Sequence, residues 1–199
     1  MNNSTQPEYI KYSTVTLKPK SWRSWLLRGL IAIAAGLMIA SFILPWWTAQ
    51  INLITIQDPI RIYGYGLQHD LLDYREYIIA DETPPYQTVI AWVYVAVSIG
   101  LAFLSTWLKG RKGQLLLGLV GGGYITYVLV AAFMVISNRL GALDIPMQGM
   151  FTTLGPGETI ITVTTSLRFG YYLAYAAGGL FLLLALLSSL IDGKRLPSK

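Results

Sequence analysis

One histidine and two carboxylates fall at a spacing that could hold a divalent metal ion. His69 is the only histidine of the chain, and Asp73 and Glu76 follow it four and seven positions later. If this stretch is helical, the three side chains share one face, and an imidazole with two carboxylates is a known metal-ligand set. The spacing is loose, however, and the sharper His-Glu-x-x-His motif is absent. We therefore interpret the trio as a solvated acidic face and predict neither a metal nor a cofactor.

Other reaction centres lack the residues that they need. The chain has no cysteine, which excludes disulfides, thiolate chemistry and iron–sulfur clusters. A serine hydrolase would have only His69 as its base, and no Gly-x-Ser-x-Gly turn offers a nucleophile. The apolar stretches contain no acid and no histidine, so haem ligation, ion-coupled pumping and di-metal chemistry have no side chains to use there. We predict a protein that is not an enzyme and has no catalytic residue, with any catalysis in partner subunits.

Four apolar stretches determine the architecture that must position every other residue. The chain is 54% hydrophobic and 13% charged, with a mean hydropathy of +0.51. Each stretch has about 20 residues or more, enough for a helix to cross the ~30 Å hydrocarbon layer of a bilayer. The sequence therefore predicts an all-α membrane protein, a bundle of four transmembrane helices over residues 25–45, 88–108, 114–137 and 169–191.

The charged residues are sorted by side of the membrane. The flank with both termini and the short loop after the second span carries eleven Lys and Arg against two acidic residues, whereas the opposite flank carries four Arg against eight acidic residues. Since cytoplasmic loops are enriched in Lys and Arg, we predict a multi-pass plasma-membrane protein with cytoplasmic tails at 1–24 and 192–199 and outer loops at 46–87 and 138–168. The basic residues form no single patch, so nucleic acid is not an expected partner.

Both outer loops carry signals of β-structure. Residues 50–57 and 60–67 are rich in β-branched residues and nearly alternate, with Asp-Pro between them. Residues 147–154 and 158–167 flank a Gly-Pro-Gly turn, which is the clearest hairpin signal in the chain. We expect the two hairpins to merge into one small extracellular antiparallel β-sheet. The spacing of apolar residues over 71–79 predicts a short amphipathic helix.

Small residues recur four positions apart within the predicted spans. In lipid, close backbone approach over such residues drives helix association. The glycines that we predict at helix–helix contacts are Gly36, Gly100, Gly118, Gly122, Gly170 and Gly178. Alternatively, the Gly121-Gly122-Gly123 run could unwind to line a conduction path, as broken helices do in transporters.

The topology resembles that of the claudin-like four-transmembrane (tetraspan) superfamily. The shared features are an inner N-terminus, a larger first outer loop with β-strands, a short inner turn and a second loop with a hairpin. Trp46 or Trp47 could stand at the first Trp position of that family, and Gly66-Leu67-Gln68 stands where the family has Gly-Leu-Trp. The last residue departs from the motif, and the two family cysteines are absent. The resemblance implies a non-enzymatic protein whose outer sheet contacts other proteins.

These observations lead to one main functional expectation and one alternative. We expect a structural or accessory subunit of a larger membrane-protein complex, whose partners are membrane lipids and other membrane proteins or copies of itself. The alternative is a small oligomeric transporter or channel with the glycine-rich third helix at the pore. Exposed aromatic residues are enriched at interface centres. The contact residues expected on that basis are Tyr63, Tyr65, Tyr74, Tyr77 and Phe151, although these rings could equally pack the sheet onto the membrane.

Overall fold

The computed structural model describes residues 22–70, 84–108, 110–132, 146–154 and 158–191. The apolar stretches fold into four helices, α1 (Trp22–Ile43), α2 (Pro85–Ser105), α3 (Arg111–Ala131) and α4 (Phe169–Ile191). All four are long and apolar enough to cross a membrane. The prediction of four such helices is confirmed.

Helices α2 and α3 each begin three residues before the start of the predicted span. Pro85 occupies the first turn of α2, where its fixed φ fits a helix and its missing N–H is not needed. Gly110 precedes α3 with φ of +68°, a left-handed conformation that glycine adopts without steric cost. Hydropathy predicts that a span begins where the side chains become apolar. The helices begin earlier, at Pro85 and directly after Gly110. Residues 133–137 of the predicted third span lie outside the described residues.

The helices pack through small side chains and a few large ones. Helix α4 contacts α1 and α3, while α2 contacts α3 and, over a smaller region, α1. Ala34, Ala174 and Ala177 are fully buried at these contacts, and Phe42 and Phe181 fill the space between the helices. Most other large apolar side chains of the helices point outward, which is the expected distribution for helices solvated by lipid.

The closest approach of α3 to α4 occurs at Gly121 and Gly178. A Cβ atom on Gly121 would lie 2.8 Å from the backbone nitrogen of Leu182, and one on Gly178 would lie 2.6 Å from the Ile125 side chain. Helix α3 is regular across Gly121-Gly122-Gly123 and does not unwind there. The two helices therefore touch backbone to backbone through a pair of glycines that face each other.

The six glycines predicted from spacing fall into different environments. A Cβ on Gly170 would lie 2.5 Å from the Leu44 carbonyl oxygen, so this glycine is also at a close backbone contact. Gly118 lies at ordinary contact distance from Ala185. At Gly36, Gly100 and Gly122 an added Cβ would meet nothing within 4 Å, so the prediction of tight packing fails at these three positions. Three of the six predicted glycines, Gly118, Gly170 and Gly178, therefore lie at contacts and the other three do not.

Five antiparallel strands form one sheet at the end of the helices where α1 and α3 end. The strands are β1 (Trp47–Ile51), β2 (Ile60–Tyr63), β3 (Gly66–His69), β4 (Gly149–Leu154) and β5 (Ile160–Leu167). The sheet order is β3-β2-β1-β5-β4, so the segment after α1 supplies three strands and the segment after α3 supplies two. They join because β1 pairs with β5 from Trp47 opposite Leu167 to Ile51 opposite Val163. The predicted merging of two hairpins into one sheet is confirmed.

The first hairpin differs from its prediction in position. Strand β1 begins at Trp47 and ends at Ile51, so residues 52–57 form a loop instead of the second half of a strand. The predicted strand over 60–67 is divided by a turn at Gly64-Tyr65 into β2 and β3. The second hairpin has β4 and β5 where the Gly-Pro-Gly signal predicted them. The expected amphipathic helix over 71–79 lies outside the described residues.

The alternation of side chains gives the sheet one apolar face and one polar face. Trp47, Ala49, Ile62, Ile161 and Val163 are buried on the face toward the helices, where they pack with Ala132 at the end of α3. The opposite face carries mostly Thr, Ser, Gln and Arg, as successive residues of a strand point to opposite sides. The sheet is therefore a polar layer attached to the helices by its apolar face.

The glycine contact between α3 and α4 can be tested by substituting Gly121 and comparing it with its neighbour. Gly121→Ala should lower the free energy of unfolding by about 1–3 kcal/mol, because the new methyl group would press on the backbone of α4. Gly122→Ala should be neutral or slightly stabilising, since its Cβ meets open space. Unfolding of both variants by SDS titration in mild detergent, followed by circular dichroism, provides the measurement. Equal effects of the two substitutions would contradict the described contact.

Candidate functional site

A cluster of aromatic rings joins the helices to the sheet. This aromatic junction consists of Phe42, Trp46, Tyr65, Trp92 and Tyr127. The Phe42 ring centroid lies 5.4 Å from that of Trp92 and 6.0 Å from that of Tyr127, and Tyr65 stacks on Trp92 at 5.8 Å. Offset and edge-on pairs at these distances each stabilise beyond the burial of their area. The junction therefore fixes the β2–β3 turn on α1, α2 and α3.

Trp46 and Tyr127 of the junction form side-chain hydrogen bonds, as does the adjacent Tyr124. The Trp46 Nε1–H donates to the Ser41 carbonyl oxygen at 2.7 Å, and the Tyr127 hydroxyl donates to the Gly64 carbonyl oxygen. The hydroxyls of Ser41 and Tyr124 lie 2.6 Å apart and form a hydrogen bond. Buried polar groups are costly unless they are hydrogen-bonded, so these contacts let aromatic residues occupy an apolar site. The hydroxyls are thus engaged in structural bonds.

The β2–β3 turn reaches the rings because Gly64 has no side chain. A Cβ at this position would lie 2.8 Å from the Trp46 ring and 2.9 Å from the Phe42 ring. The Tyr65 carbonyl oxygen accepts a hydrogen bond from the Thr88 hydroxyl at 3.3 Å, which adds α2 to the same contact. Through Gly64 and Tyr65, the turn therefore contacts α1, α2 and α3.

An ion pair holds the β1–β2 loop to the end of β5. The Arg168 guanidinium donates to both carboxylate oxygens of Asp58, at 2.6 and 2.8 Å, and its Nε–H donates to the Thr48 hydroxyl at 2.8 Å. A second arginine, Arg61, lies 3.3 Å from the Asp70 carboxylate and donates to the Asp58 carbonyl oxygen. Hydrogen bonds between charged groups, such as those from Arg168 Nη2 to Asp58, are shorter and stronger than those between neutral groups. These charges serve to order loops of the polar face.

His69, the first residue of the weak candidate metal trio, does not lie in a helix. His69 is the last residue of β3 and pairs with Ile60 of β2, and Asp70 donates its backbone N–H to the Pro59 carbonyl oxygen. The assumption of a helix through position 69 was therefore wrong. Asp73 and Glu76 lie outside the described residues. Within the described part of the chain, no three His, Cys, Asp or Glu side chains come together as a possible metal site.

Of the predicted contact tyrosines of the first loop, Tyr65 contacts the helices and Tyr63 contacts Tyr65. Tyr63 and Tyr65 stack on each other with centroids 5.0 Å apart, and Tyr65 continues into the aromatic junction. Burial raises the pKa of the Tyr65 phenol above its ordinary value, and the nearby Tyr63 adds to this effect. The phenol therefore stays neutral near pH 7. Tyr74 and Tyr77 lie outside the described residues.

The second loop presents an exposed apolar surface that sequence reasoning missed. Phe151, the residue singled out there, is half-buried against the apolar face of the sheet. Its neighbours on the opposite face are Met150, Leu154 and Ile160, which are 68%, 72% and 65% exposed, and Leu154 pairs directly with Ile160. We call these three residues the hairpin patch. The sequence contains a signal for this surface, because Met150-Phe151 and Ile160-Ile161 are adjacent apolar residues. Successive residues of a strand face opposite sides, so one residue of each pair must face outward.

The hairpin patch lies beside a free strand edge. Among the described strands, β4 pairs with β5 alone, which leaves one edge of β4 with unpaired backbone groups. Exposed edges of this kind are templates for pairing with another chain. Chemically, the described residues therefore offer hydrogen-bonding backbone and apolar contacts, which suit binding of another protein.

Comparison of the sequence with protein-family models and with curated proteins finds no match.

The hydrogen bond between Tyr127 and Gly64 can be tested by removing one hydroxyl. Tyr127→Phe should destabilise the protein by about 1–2 kcal/mol, because the buried Gly64 carbonyl loses its donor while the ring stacking is kept. Tyr172→Phe is the matched control, since Tyr172 is exposed and its hydroxyl has no hydrogen bond among the described residues. Thermal unfolding in detergent is the measurement. A loss at Tyr172 equal to that at Tyr127 would contradict the assignment.

Proposed function

We propose that this chain is a non-catalytic integral membrane protein and acts as a structural or accessory subunit of a larger membrane-protein complex. It crosses the plasma membrane four times as a helix bundle, with both termini in the cytoplasm and the sheet on the outer side. The partner, either another membrane protein or a second copy of the chain, contacts the sheet at the hairpin patch and the β4 edge. The helix flanks complete the contact within the membrane.

The hairpin patch is the observation that carries this proposal. Three large apolar side chains are about two-thirds exposed on a sheet face that is otherwise polar, and they lie beyond the four helices. Lipid solvates exposed leucines along the helices, but it does not explain apolar residues on the sheet face that points away from them. Exposed apolar surface outside the hydrocarbon layer typically marks an interaction site.

The charge distribution supports the proposed orientation. The sheet and the segments around it belong to the flank with four Arg and eight acidic residues, whereas the helix ends opposite the sheet belong to the strongly basic flank. The positive-inside rule then assigns the sheet to the outer side. In addition, the order of elements, one helix, three strands, two helices, two strands and a final helix, agrees with the proposed claudin-like arrangement.

The alternative of an oligomeric channel has less support. That alternative requires α3 to unwind at Gly121-Gly122-Gly123, so that the unwound backbone lines a pore. Helix α3 is continuous there, and Gly121 contacts α4 through its backbone. A helix packed in this way uses one of its glycines for intramolecular contact, so we retain the subunit proposal as the main one.

The proposal is tested with a double variant of the hairpin patch. Leu154→Thr combined with Ile160→Thr removes exposed apolar area but keeps residues that favour strands. Because burial of a leucine or isoleucine contributes about 1.5–3 kcal/mol, loss of both should weaken association at least about tenfold. The measurement is the amount of assembly recovered from native membranes after gentle detergent extraction, by size-exclusion chromatography and mass spectrometry.

A matched control distinguishes the effect of the hairpin patch from the effect of removing any exposed apolar side chain. Leu53→Thr changes an exposed leucine of the β1–β2 loop that lies outside the hairpin patch, and it should leave the assembly intact. Unchanged helix content by circular dichroism shows that the double variant is folded. A wild-type chain that elutes as a monodisperse monomer without partners would refute the proposal, as would a double variant that assembles like the wild type.

A further inference from the structure

An open groove lies between α1 and α2 at the end of the helices opposite the sheet. Its volume is about 340 Å³, and it is lined by Arg28 of α1 and by Gly100, Phe103, Leu104, Thr106 and Trp107 of α2 and the turn that follows. This volume is within the ~300–1,000 Å³ of pockets that hold small ligands. The groove exists because α1 and α2 touch over only a small region, and because Gly100 places no side chain in the space.

The groove combines one cation with an apolar wall. Arg28 lies six residues after the first residue of α1, which corresponds to about 9 Å along the helix axis. Its guanidinium carbon lies 5.9 Å from the centroid of the Trp25 ring, and among the described residues no carboxylate pairs with it. An arginine at membrane depth is costly unless it reaches the interface or meets an anion. Phe103, Leu104 and the Trp107 ring offer mostly apolar surface beside it.

We propose that this groove binds a single phospholipid with an anionic headgroup. The phosphate lies on the Arg28 guanidinium, and the first part of one acyl chain lies along Phe103 and Leu104 over the open surface of Gly100. Trp25 and Trp107, both largely exposed, flank the site at the level of the headgroups. This ligand matches both halves of the site. A soluble anion would leave the apolar wall uncovered, and the phosphate of a zwitterionic lipid is already balanced by the lipid's own ammonium group.

The position of the groove favours a lipid over a water-soluble ligand. Arg28 and Gly100 belong to two helices that are long and apolar enough to cross a membrane, and each lies between one and two turns from its helix end. The groove is open toward the surroundings of the helices, so a lipid can enter sideways. Juxtamembrane arginines attract anionic lipids by about 1 kcal/mol each.

The test is a lipid titration of the purified full-length chain in mild detergent, with bound lipids counted by native mass spectrometry. The probes are dioleoylphosphatidylglycerol, dioleoylphosphatidylcholine and inorganic phosphate. The first phosphatidylglycerol should bind more tightly than the first phosphatidylcholine. Arg28→Gln should weaken phosphatidylglycerol binding about fivefold or more and remove this preference, whereas Arg28→Lys should keep most of it. Arg111→Gln, an exposed arginine at the start of α3, is the charge control and should have little effect.

A second pair of variants tests the acyl-chain part of the groove. Gly100→Leu places a side chain in the groove, where an added Cβ meets nothing within 4 Å, and it should weaken binding of the first phosphatidylglycerol. Gly36→Leu is the matched control, since Gly36 is equally open but does not line the groove. Equal affinity for the two lipids, or equal effects within either variant pair, would overturn the proposal. So would displacement of phosphatidylglycerol by inorganic phosphate at similar concentration, which would indicate a site for a free anion.

Discussion

The contact between helices and sheet depends on how one residue, Trp46, is bonded. Its backbone N–H donates to the Ile62 carbonyl oxygen at 2.7 Å, and its own carbonyl oxygen accepts from the Arg168 N–H at 2.8 Å. Its ring Nε1–H donates to the Ser41 carbonyl oxygen near the end of α1. One residue therefore ties α1 to a strand from the first loop and to the end of a strand from the second. These bonds form only if the β2–β3 turn and the start of α4 lie close to Trp46.

Two glycines make that approach possible. Gly64 brings the β2–β3 turn onto the Trp46 ring, and Gly170 brings the start of α4 against the carbonyl oxygens of Leu44 and Pro45. Any larger residue at either position would press on a ring or on backbone, neither of which can move without separating sheet from helices. The Trp46 ring fills the volume that a side chain at position 64 would need, whereas the space at Gly170 is taken by the backbone of Leu44 and Pro45. Trp46 is accordingly buried within the protein.

The sequence was sufficient for features that depend on local patterns. Four apolar runs predicted the helices, and the turn signal at Gly155-Pro156-Gly157 predicted the β4–β5 hairpin. The features that were missed depend on residues far apart in the chain. Strand β1 begins at Trp47 because it pairs with β5, more than 100 residues later, and that partner is not visible in the local alternation. Similarly, the spacing of small residues could not decide between Gly121 and Gly122, since the choice depends on which face of α3 meets Gly178.

The environment of the candidate contact residues also depends on residues far apart in the chain. Tyrosines of the first loop were expected to contact a partner. The Tyr65 ring instead stacks on Trp92 of α2, because an apolar helix surface lies next to it. The hairpin patch has no such surface available, because Phe151 and Val163 occupy the face toward the helices and Met150 and Leu154 must then point away. In a sheet with one face covered, an apolar residue on the other face gains nothing within the monomer. Among the described residues, Met150, Leu154 and Ile160 therefore leave apolar area exposed on this face, and exposed apolar surface typically marks an interaction site.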